Sequence, residues 1–205
     1  MEPKPEQIIN IEGPKGQSLF RRALSSVVGK DELERFEREL QARIDRYEEK
    51  YKKTNDDRAL ALIGALVVEE ELDRLLSSWL VDYKKHCRDA RDMSFSFKVE
   101  LAKSTRLIPA RILNAIDPVR RIRNTFAHNL DIDTFKEAKE IDARPFGALY
   151  SKTKTFMIWN ETDDRKTFQQ LVTLIALALI VYTEHIVKVK DHIWNRDNLA
   201  RIMKS

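Results

Sequence analysis

The residue types best suited to phosphate chemistry lie in one short segment, which runs from Arg123 to His128. A guanidinium such as that of Arg123 can hold a phosphodiester through two parallel hydrogen bonds. The imidazole of His128 can accept or donate a proton near neutral pH, and the carboxamide of Asn124 lies in the same segment. Because RNA supplies its own nucleophile in the 2′-hydroxyl, these groups could cleave RNA without a metal ion. Arg123, Asn124 and His128 are therefore candidate catalytic residues.

A second interpretation of this segment is structural. Apolar residues at helical spacing define the buried side of a helix, and they are Val119, Ile122 and Phe126. On an ideal helix of 3.6 residues per turn, Arg123 and His128 point about 140° apart, so they do not simply face one pocket. Either the helix ends before His128, or a symmetric dimer completes the site. Otherwise His128 is a C-terminal helix residue that the helix dipole favours, and Asn124 is a packing residue.

The segment from Lys103 to Arg123 is the densest region of like charge in the chain, with six basic residues and one acid. Such a segment is typical of a surface that binds nucleic acid through its phosphates. The candidate nucleic-acid-binding residues are Lys103, Arg106, Arg111, Arg120 and Arg121. We expect RNA rather than a specific DNA sequence, because no helix-turn-helix stands out.

The composition predicts an all-α protein with a single domain. The 205 residues include only 5 Gly and 6 Pro, which is few for a β-sandwich or barrel and typical of long helices. Hydrophobic residues make up 42% of the chain, which is enough for a core. The net charge of +4 permits an anionic partner. We therefore expect a bundle of six or seven helices.

The sequence carries no signature of metal, disulfide or membrane chemistry. The one cysteine, Cys87, can form neither an intrachain disulfide nor a cysteine zinc site, which predicts a reducing, cytoplasmic setting. The four histidines are scattered, and no glycine-rich phosphate loop, GxSxG or HExxH occurs, so we predict neither a metal nor a cofactor. The longest apolar run, Leu171 to Tyr182, is shorter than the roughly 20 residues of a membrane span, which predicts no membrane partner.

Patterning divides the chain into a flexible tail at 1–28, a helical domain at 29–192 and a basic tail at 193–205. Between Asp31 and Lys53 an apolar stripe at helical spacing predicts a helix with one narrow buried edge. The stripe consists of Leu33, Phe36, Leu40, Ile44, Tyr47 and Tyr51. This helix would pack that edge on the body of the domain, or else serve as a partner or dimer helix.

A long helix is predicted next, with Asn55 as its N-cap and its end near His86. Its first half, Ala59 to Val68, is apolar nearly all round and should therefore be central in the bundle. Glu69 follows at the margin of the core face, where it should pair with an Arg. A catalytic role for Glu69 is the minority interpretation.

Shorter helices are predicted between this helix and the candidate site. Ser94 can cap a helix over Phe95–Leu107, and a short helix follows over Ala110–Ala115. Asp117 as N-cap and Pro118 at the first helical position then open the helix that carries the candidate residues.

The C-terminal part combines an irregular segment with a long helix. Arg144 to Trp159 contains a proline, a glycine and alternating Thr and apolar residues, which predicts an irregular excursion or small hairpin near 144–160. Asp163 or Asp164 should cap the last helix, which spans about Arg165 to Lys190 and should be buried against the first half of the long helix.

Two family resemblances follow from these segments. The stretch Ile-Arg-Asn-Thr-Phe-Ala-His at 122–128 resembles the R-x4-H signature of the HEPN superfamily, in which a polar residue follows the Arg. A wider ordered set of segments, covering about residues 30–190, resembles the mannitol operon repressor (MtlR-like) family. These segments are the apolar-then-acidic helix Leu60–Leu76, Phe95–Leu101 before Leu107 and Ile108, the RNTFAH turn, Pro145–Leu149 and the closing apolar helix.

The MtlR-like resemblance implies a small transcriptional regulator, a repressor or co-repressor that acts as a dimeric helical interaction module. This is the function that we expect first, in a homodimer with a regulatory protein or nucleic acid as partner. The HEPN resemblance implies the alternative, a metal-independent endoribonuclease of toxin or phage-defence type that works as a dimer. In that case His128 would transfer the proton, Arg123 would steady the phosphate and Asn124 would orient the site.

Overall fold

The computed structural model describes residues 30–80, 83, 93–156 and 163–194. Within these residues the fold consists of seven α-helices without a strand, which confirms the predicted all-α bundle. The helices are α1 (Lys30–Lys52), α2 (Asp57–Trp79), α3 (Phe95–Thr105), α4 (Ala110–His128), α5 (Phe135–Ile141), α6 (Arg144–Phe156) and α7 (Asp164–Trp194). The predicted tail at 1–28, the segment around His86 and Cys87, and most of the tail at 193–205 lie outside the described residues.

α2 and α7 form the centre of the bundle and share its largest helix–helix interface. α2 also packs against α1, α3 and α4, while α7 also packs against α1, α4, α5 and α6. The predicted central position of 59–68 is confirmed, since Leu60 and Val68 are fully buried. At Gly64 a Cβ atom would lie 2.7 Å from Cε1 of Phe168, so the close approach of α2 to α7 requires glycine.

Four buried phenylalanines join the helices at the candidate-site end of the bundle. The ring centroid of Phe135 in α5 lies 5.4 Å from the centroid of Phe126, 6.1 Å from that of Phe146 and 5.3 Å from that of Phe168. The first two pairs are edge-to-face, the geometry that aromatic quadrupoles favour. This cluster links α4, α5, α6 and α7, so it fixes the C-terminal end of α4 against the core.

α1 packs one edge on α2 and α7, as its apolar stripe predicts. Phe36, Tyr47 and Tyr51 of that stripe are buried. The hydroxyl of Tyr47 donates a hydrogen bond to Glu71, whose side chain is completely buried. Nη1 of Arg43 lies 3.6 Å from the same carboxylate. Polar contacts with Glu71 therefore hold α1 on the bundle together with apolar packing. A partner or dimer role for its exposed faces stays a prediction.

A buried lysine joins α3 to α2. Lys98 is only 2% exposed, and its ammonium donates to Glu69 at 2.7 Å and to Asp73 at 2.8 Å. Burial opposes the charged form, but the two carboxylates outweigh it and raise the pKa of Lys98. Glu69 is therefore a structural ion-pair partner, as expected, although its partner is a lysine of α3 rather than an arginine.

The bounds of α2 differ from the prediction at both ends. The N-cap is Asp56 rather than Asn55, and its carboxylate accepts from the backbone N–H two residues ahead at 2.8 Å. The helix ends at Trp79, about two turns earlier than predicted. Lys190 of α7 donates to the carbonyl oxygen of Ser78 at 3.0 Å, so a tertiary contact satisfies the last turn here.

α4 is one continuous helix, where the sequence analysis predicted a short helix at 110–115 and a new start at Asp117. That prediction was wrong, because Pro118 lies inside the helix and is buried. An internal proline costs about 3 kcal/mol, whereas each fully buried aliphatic side chain contributes about 1.5–3 kcal/mol. The buried aliphatic residues on both sides of the proline are Ile112, Leu113, Ala115, Ile116, Val119 and Ile122. Their packing outweighs the lost hydrogen bond and keeps the helix intact.

The segment predicted as an irregular excursion or hairpin near 144–160 is helical as far as it is described, and that prediction was wrong. Pro145 falls in the first turn of α6, where its missing N–H has no intrahelical partner to lose. Phe146, Leu149 and Thr153 then recur at helical spacing and are buried. This packing on the core outweighs the strand preference of the Thr-rich sequence.

α7 is the one described helix that is long and apolar enough to cross a membrane by length and composition. An 18-residue window within Asp164–Lys188 has a mean hydropathy of 1.8, and 39% of that window is buried. The core helix of a soluble protein passes the same test, and α7 packs against five other helices of the bundle. One face of the helix is therefore buried in the bundle, and the cytoplasmic location stays a prediction.

The contact of Gly64 with α7 makes a substitution there costly. Gly64→Ala should lower the free energy of unfolding by about 1–3 kcal/mol, because the new methyl group must displace the Phe168 ring. Gly147→Ala in α6 is the matched control, since its Cβ would meet nothing within 4 Å; it should raise stability by about 0.5–1 kcal/mol. Urea unfolding measures both, and equal effects would contradict the proposed close approach.

The two buried tyrosines of α1 should behave differently at neutral pH and alike at alkaline pH. Tyr47→Phe removes the hydrogen bond to buried Glu71 and should cost about 1–3 kcal/mol at pH 7. Tyr51→Phe should be neutral or stabilising, because no described residue accepts a hydrogen bond from that hydroxyl.

Burial raises the pKa of both tyrosines, with a further contribution from Glu71 at Tyr47 and from Tyr47 at Tyr51. Above pH of about 10 the tyrosines of the unfolded chain ionise while the folded ones do not. Wild-type stability should therefore decline as the pH rises above 10, and each Phe variant should decline less. A wild type whose free energy of unfolding is constant from pH 9 to 11 would refute this.

Candidate functional site at the C-terminal end of α4

The candidate catalytic residues lie on the last two turns of α4, outside its buried face. Ile122 and Phe126 are completely buried and hold this part of the helix on the core, as the sequence predicts. The helix includes His128 and ends there, because Asn129 takes an extended conformation. The side-chain amide of Asn129 donates to the carbonyl oxygen of Thr125 at 2.7 Å and so satisfies part of the last turn.

The structure brings two of the three candidate residues into contact. Arg123 is half-buried and donates from Nη1 to Oδ1 of Asn124 at 3.0 Å. His128 is exposed, and no described residue forms a hydrogen bond or ion pair with its imidazole. The imidazole is therefore available to an external group, while the Arg123 guanidinium is oriented by its neighbour. No hydrogen bond joins the two groups among the described residues.

One arginine from α2 holds the backbone that follows His128. Arg58 donates to the carbonyl oxygens of Phe126 at 3.0 Å, Asn129 at 2.9 Å and Leu130 at 2.7 Å, and also to that of Ile132. Its Nε lies 3.5 Å from a carboxylate oxygen of Asp133. The Arg58 side chain is only 19% exposed, so this guanidinium replaces water as the partner of the helix end.

The far side of the same loop is fixed by the start of α5. Thr134 and Glu137 form a capping box, in which each side chain bonds the backbone N–H of the other. The carboxylate of Glu137 also accepts from the backbone N–H of Asp133 at 2.8 Å. These backbone bonds lower the pKa of Glu137. The loop between α4 and α5 is therefore tied down at both ends.

The N-terminal end of α2 also binds the starts of two other helices. Asp57 accepts from the backbone N–H of Phe135 in α5 at 2.9 Å and forms an ion pair with Arg165 of α7. Arg165 donates in turn to the carbonyl oxygens of Thr54 and Asn55 in the turn before α2. Asp57 and Arg58 thus place the ends of α4, α5 and α7 relative to one another.

The predicted nucleic-acid-binding residues are largely engaged with nearby groups. Asp117 accepts from Arg120 at 2.8 Å and from Arg121 at 2.8 Å. Burial opposes its ionisation, but the two arginines outweigh this and lower the pKa of Asp117. Lys103 pairs with Glu100 at 2.7 Å. The local positive field is therefore weaker than the charges in the sequence suggest.

The other two residues of this set occupy different environments. Arg106 is exposed, caps the C-terminal end of α3 in the left-handed conformation with φ of 53°, and has no side-chain partner among the described residues. Arg111 is half-buried, and its Nε is shielded from solvent without a hydrogen-bond acceptor in the described structure. Of the five predicted contacts, Arg106 is thus the side chain that is exposed and unpaired here.

The comparisons leave the functional argument to the site itself. No protein-family model, curated protein or solved structure matches this chain. Among the described residues, no group of three or more His, Cys, Asp or Glu side chains is arranged to hold a metal ion. Proton transfer and phosphate binding by Arg123, Asn124 and His128 stay the predicted chemistry of this segment.

Arg58 does not stand out in the sequence as a residue of this site. The residue lies 68 positions before Phe126, and its acceptors are backbone carbonyls. Because every residue has such a carbonyl, the sequence does not reveal these contacts. The one usable signal was an arginine in the first turn of a helix, where the dipole disfavours a cation. Such a residue needs compensating partners, and the end of α4 supplies them.

Neutralising Asp117 tests whether the basic residues bind nucleic acid. Asp117→Asn removes the carboxylate that occupies Arg120 and Arg121, so the affinity for single-stranded RNA should rise. The salt dependence should steepen, by about 0.7 in log–log slope for each additional phosphate contacted. Fluorescence anisotropy across a salt series measures both quantities. Glu140→Gln, at an exposed position of α5, makes the same charge change elsewhere, and an equal gain in that variant would exclude a local effect.

Proposed function

We propose that this chain is a metal-independent endoribonuclease whose site is the C-terminal end of α4. The observation that carries the proposal is the exposed, unpartnered imidazole of His128, set one turn from the hydrogen-bonded pair Arg123 and Asn124. An imidazole engaged with the backbone would have supported a purely structural role. The resemblance of 122–128 to the R-x4-H signature supports the same choice.

The roles follow from the chemistry of the three groups. His128 transfers the proton between the 2′-hydroxyl of RNA and the departing 5′-oxygen. Arg123 holds the phosphodiester, and its hydrogen bond with Asn124 limits the orientations that the guanidinium can take. Attack by the 2′-oxygen on phosphorus displaces the 5′-oxygen and leaves a 2′,3′-cyclic phosphate. No metal ion takes part in this step.

A second copy of the chain completes the site in this proposal. On an ideal helix Arg123 and His128 point about 140° apart, and no hydrogen bond joins them among the described residues. A symmetric pair can place His128 of each chain beside Arg123 of its partner or beside the other His128. The homodimer is thus an assumption of the proposed mechanism.

The second candidate function is the MtlR-like regulatory module that the ordered sequence segments favour. The observation on its side is a pair of exposed apolar side chains, Leu66 of α2 at 60% and Phe97 of α3 at 55% exposure. Exposed apolar groups mark a surface for a protein partner where they form a contiguous patch. In this function His128 would have no chemical role, and its replacement would leave partner binding intact.

A cleavage assay in EDTA separates the two functions. The wild type should cut RNA and release products with a cyclic phosphate, while His128→Ala should lower the rate by about 10²–10⁴-fold. Arg123→Ala should also abolish detectable cleavage, with circular dichroism confirming the fold. His185→Ala is the matched control, because His185 is also exposed but lies far from the candidate site. The N-terminal end of α7 is the end near that site, and His185 lies about 30 Å along the helix from it.

Two outcomes would contradict the ribonuclease. Cleavage that His128→Ala retains would place the activity elsewhere or in a contaminant. No cleavage of structured and single-stranded RNAs by a folded wild type would favour the regulatory module. Mixing the Arg123→Ala and His128→Ala proteins distinguishes the two dimer arrangements. Activity should return in part if His128 of one chain works with Arg123 of its partner, and should not return if the site needs both His128 side chains.

A further inference from the structure

The segment after His128 is held by an unusual concentration of hydrogen bonds from one side chain. Four carbonyl oxygens accept from the Arg58 guanidinium, and they belong to Phe126, Asn129, Leu130 and Ile132. These carbonyls lie on both sides of His128 in the sequence. The guanidinium therefore fixes the backbone of His128 without touching its imidazole.

The position of this arginine also answers an electrostatic problem. The C-terminal end of a helix carries a partial negative charge, equivalent to about half an elementary charge, on its unpaired carbonyls. A phosphodiester that approaches the end of α4 would be repelled by them. Arg58 occupies those carbonyls with a cation that is only 19% exposed, so the helix end becomes compatible with an anionic ligand.

We infer that Arg58 is a positioning residue that holds His128 in place for the reaction. The inference rests on the proposed ribonuclease function for its kinetic consequence, while its structural half stands on the contacts alone. A displacement of about 1 Å in a catalytic group can cost about 10²-fold in rate. A side chain that binds the backbone on both sides of His128 is in a position to prevent such a displacement.

Arg165 provides a matched comparison within the same chain. Its side chain is 26% exposed, pairs with a carboxylate and donates to two backbone carbonyls, those of Thr54 and Asn55. Its removal should cost stability by the same mechanism as removal of Arg58. Arg165 makes no hydrogen bond to the segment 126–132, however, so a positioning effect on His128 is specific to Arg58.

The experiment compares Arg58→Ala with Arg165→Ala in the full-length protein, using kinetics and amide hydrogen exchange. Arg58→Ala should lower kcat at least about tenfold with KM nearly unchanged, because the loss concerns the placement of a reacting group. Exchange of the amides at 127–133 should accelerate in Arg58→Ala and not in Arg165→Ala. Added millimolar guanidinium should restore part of kcat in Arg58→Ala alone.

Each outcome decides the inference. Equal losses of kcat in the two variants, or unchanged exchange at 127–133 in Arg58→Ala, would overturn it. If the wild type does not cleave RNA, the proposed function fails, and the exchange comparison alone decides whether Arg58 fixes this segment. Should Arg58→Ala not fold, Arg58→Lys keeps the charge without the planar fork and should show the same pattern to a smaller degree.

Discussion

The rest of the structure depends on the hydrogen bonds at the N-terminal end of α2. Two consecutive residues there, Asp57 and Arg58, bind the end of α4, the start of α5 and, through Arg165, the start of α7. Their partners are mostly backbone groups at helix termini, which are the groups that helices cannot satisfy internally. An aspartate and an arginine thus orient three helices and the loop beside His128.

Apolar packing stabilises this bundle, and buried polar contacts determine how its helices are arranged. The α2–α7 interface and the four phenylalanines stabilise the fold without specifying where loops lie. Buried polar contacts then select one arrangement, because a charged group in the interior tolerates few alternatives. Lys98 does so for α3 through two carboxylates. Glu71 does so for α1 through Tyr47 at Oε1, while its Oε2 lies 3.6 Å from Arg43 and accepts no hydrogen bond from a described residue.

Sequence patterning predicts the helical parts of this fold best where one buried face repeats over several turns. The α4 face through Ile122 and Phe126 and the apolar half of α2 are such cases. Patterning failed at α6 and at Pro118, where tertiary packing outweighs local preference. The types and spacing of Arg123, Asn124 and His128 were visible in the sequence. Arg58 was not, because its partners are carbonyl oxygens far along the chain.

The α2–α7 interface also sets a condition on folding during synthesis. α7 begins at Asp164, so the ribosome must synthesise the residues between Trp79 and Asp164 before α7 can start to pack on α2. At about 5–20 residues per second this takes roughly 4 to 17 seconds. During that time the apolar surface of α2 around Gly64 is uncovered by α7. We expect exposed apolar surface of this kind to favour aggregation or chaperone binding, and the α2–α7 interface to close only after α7 has emerged.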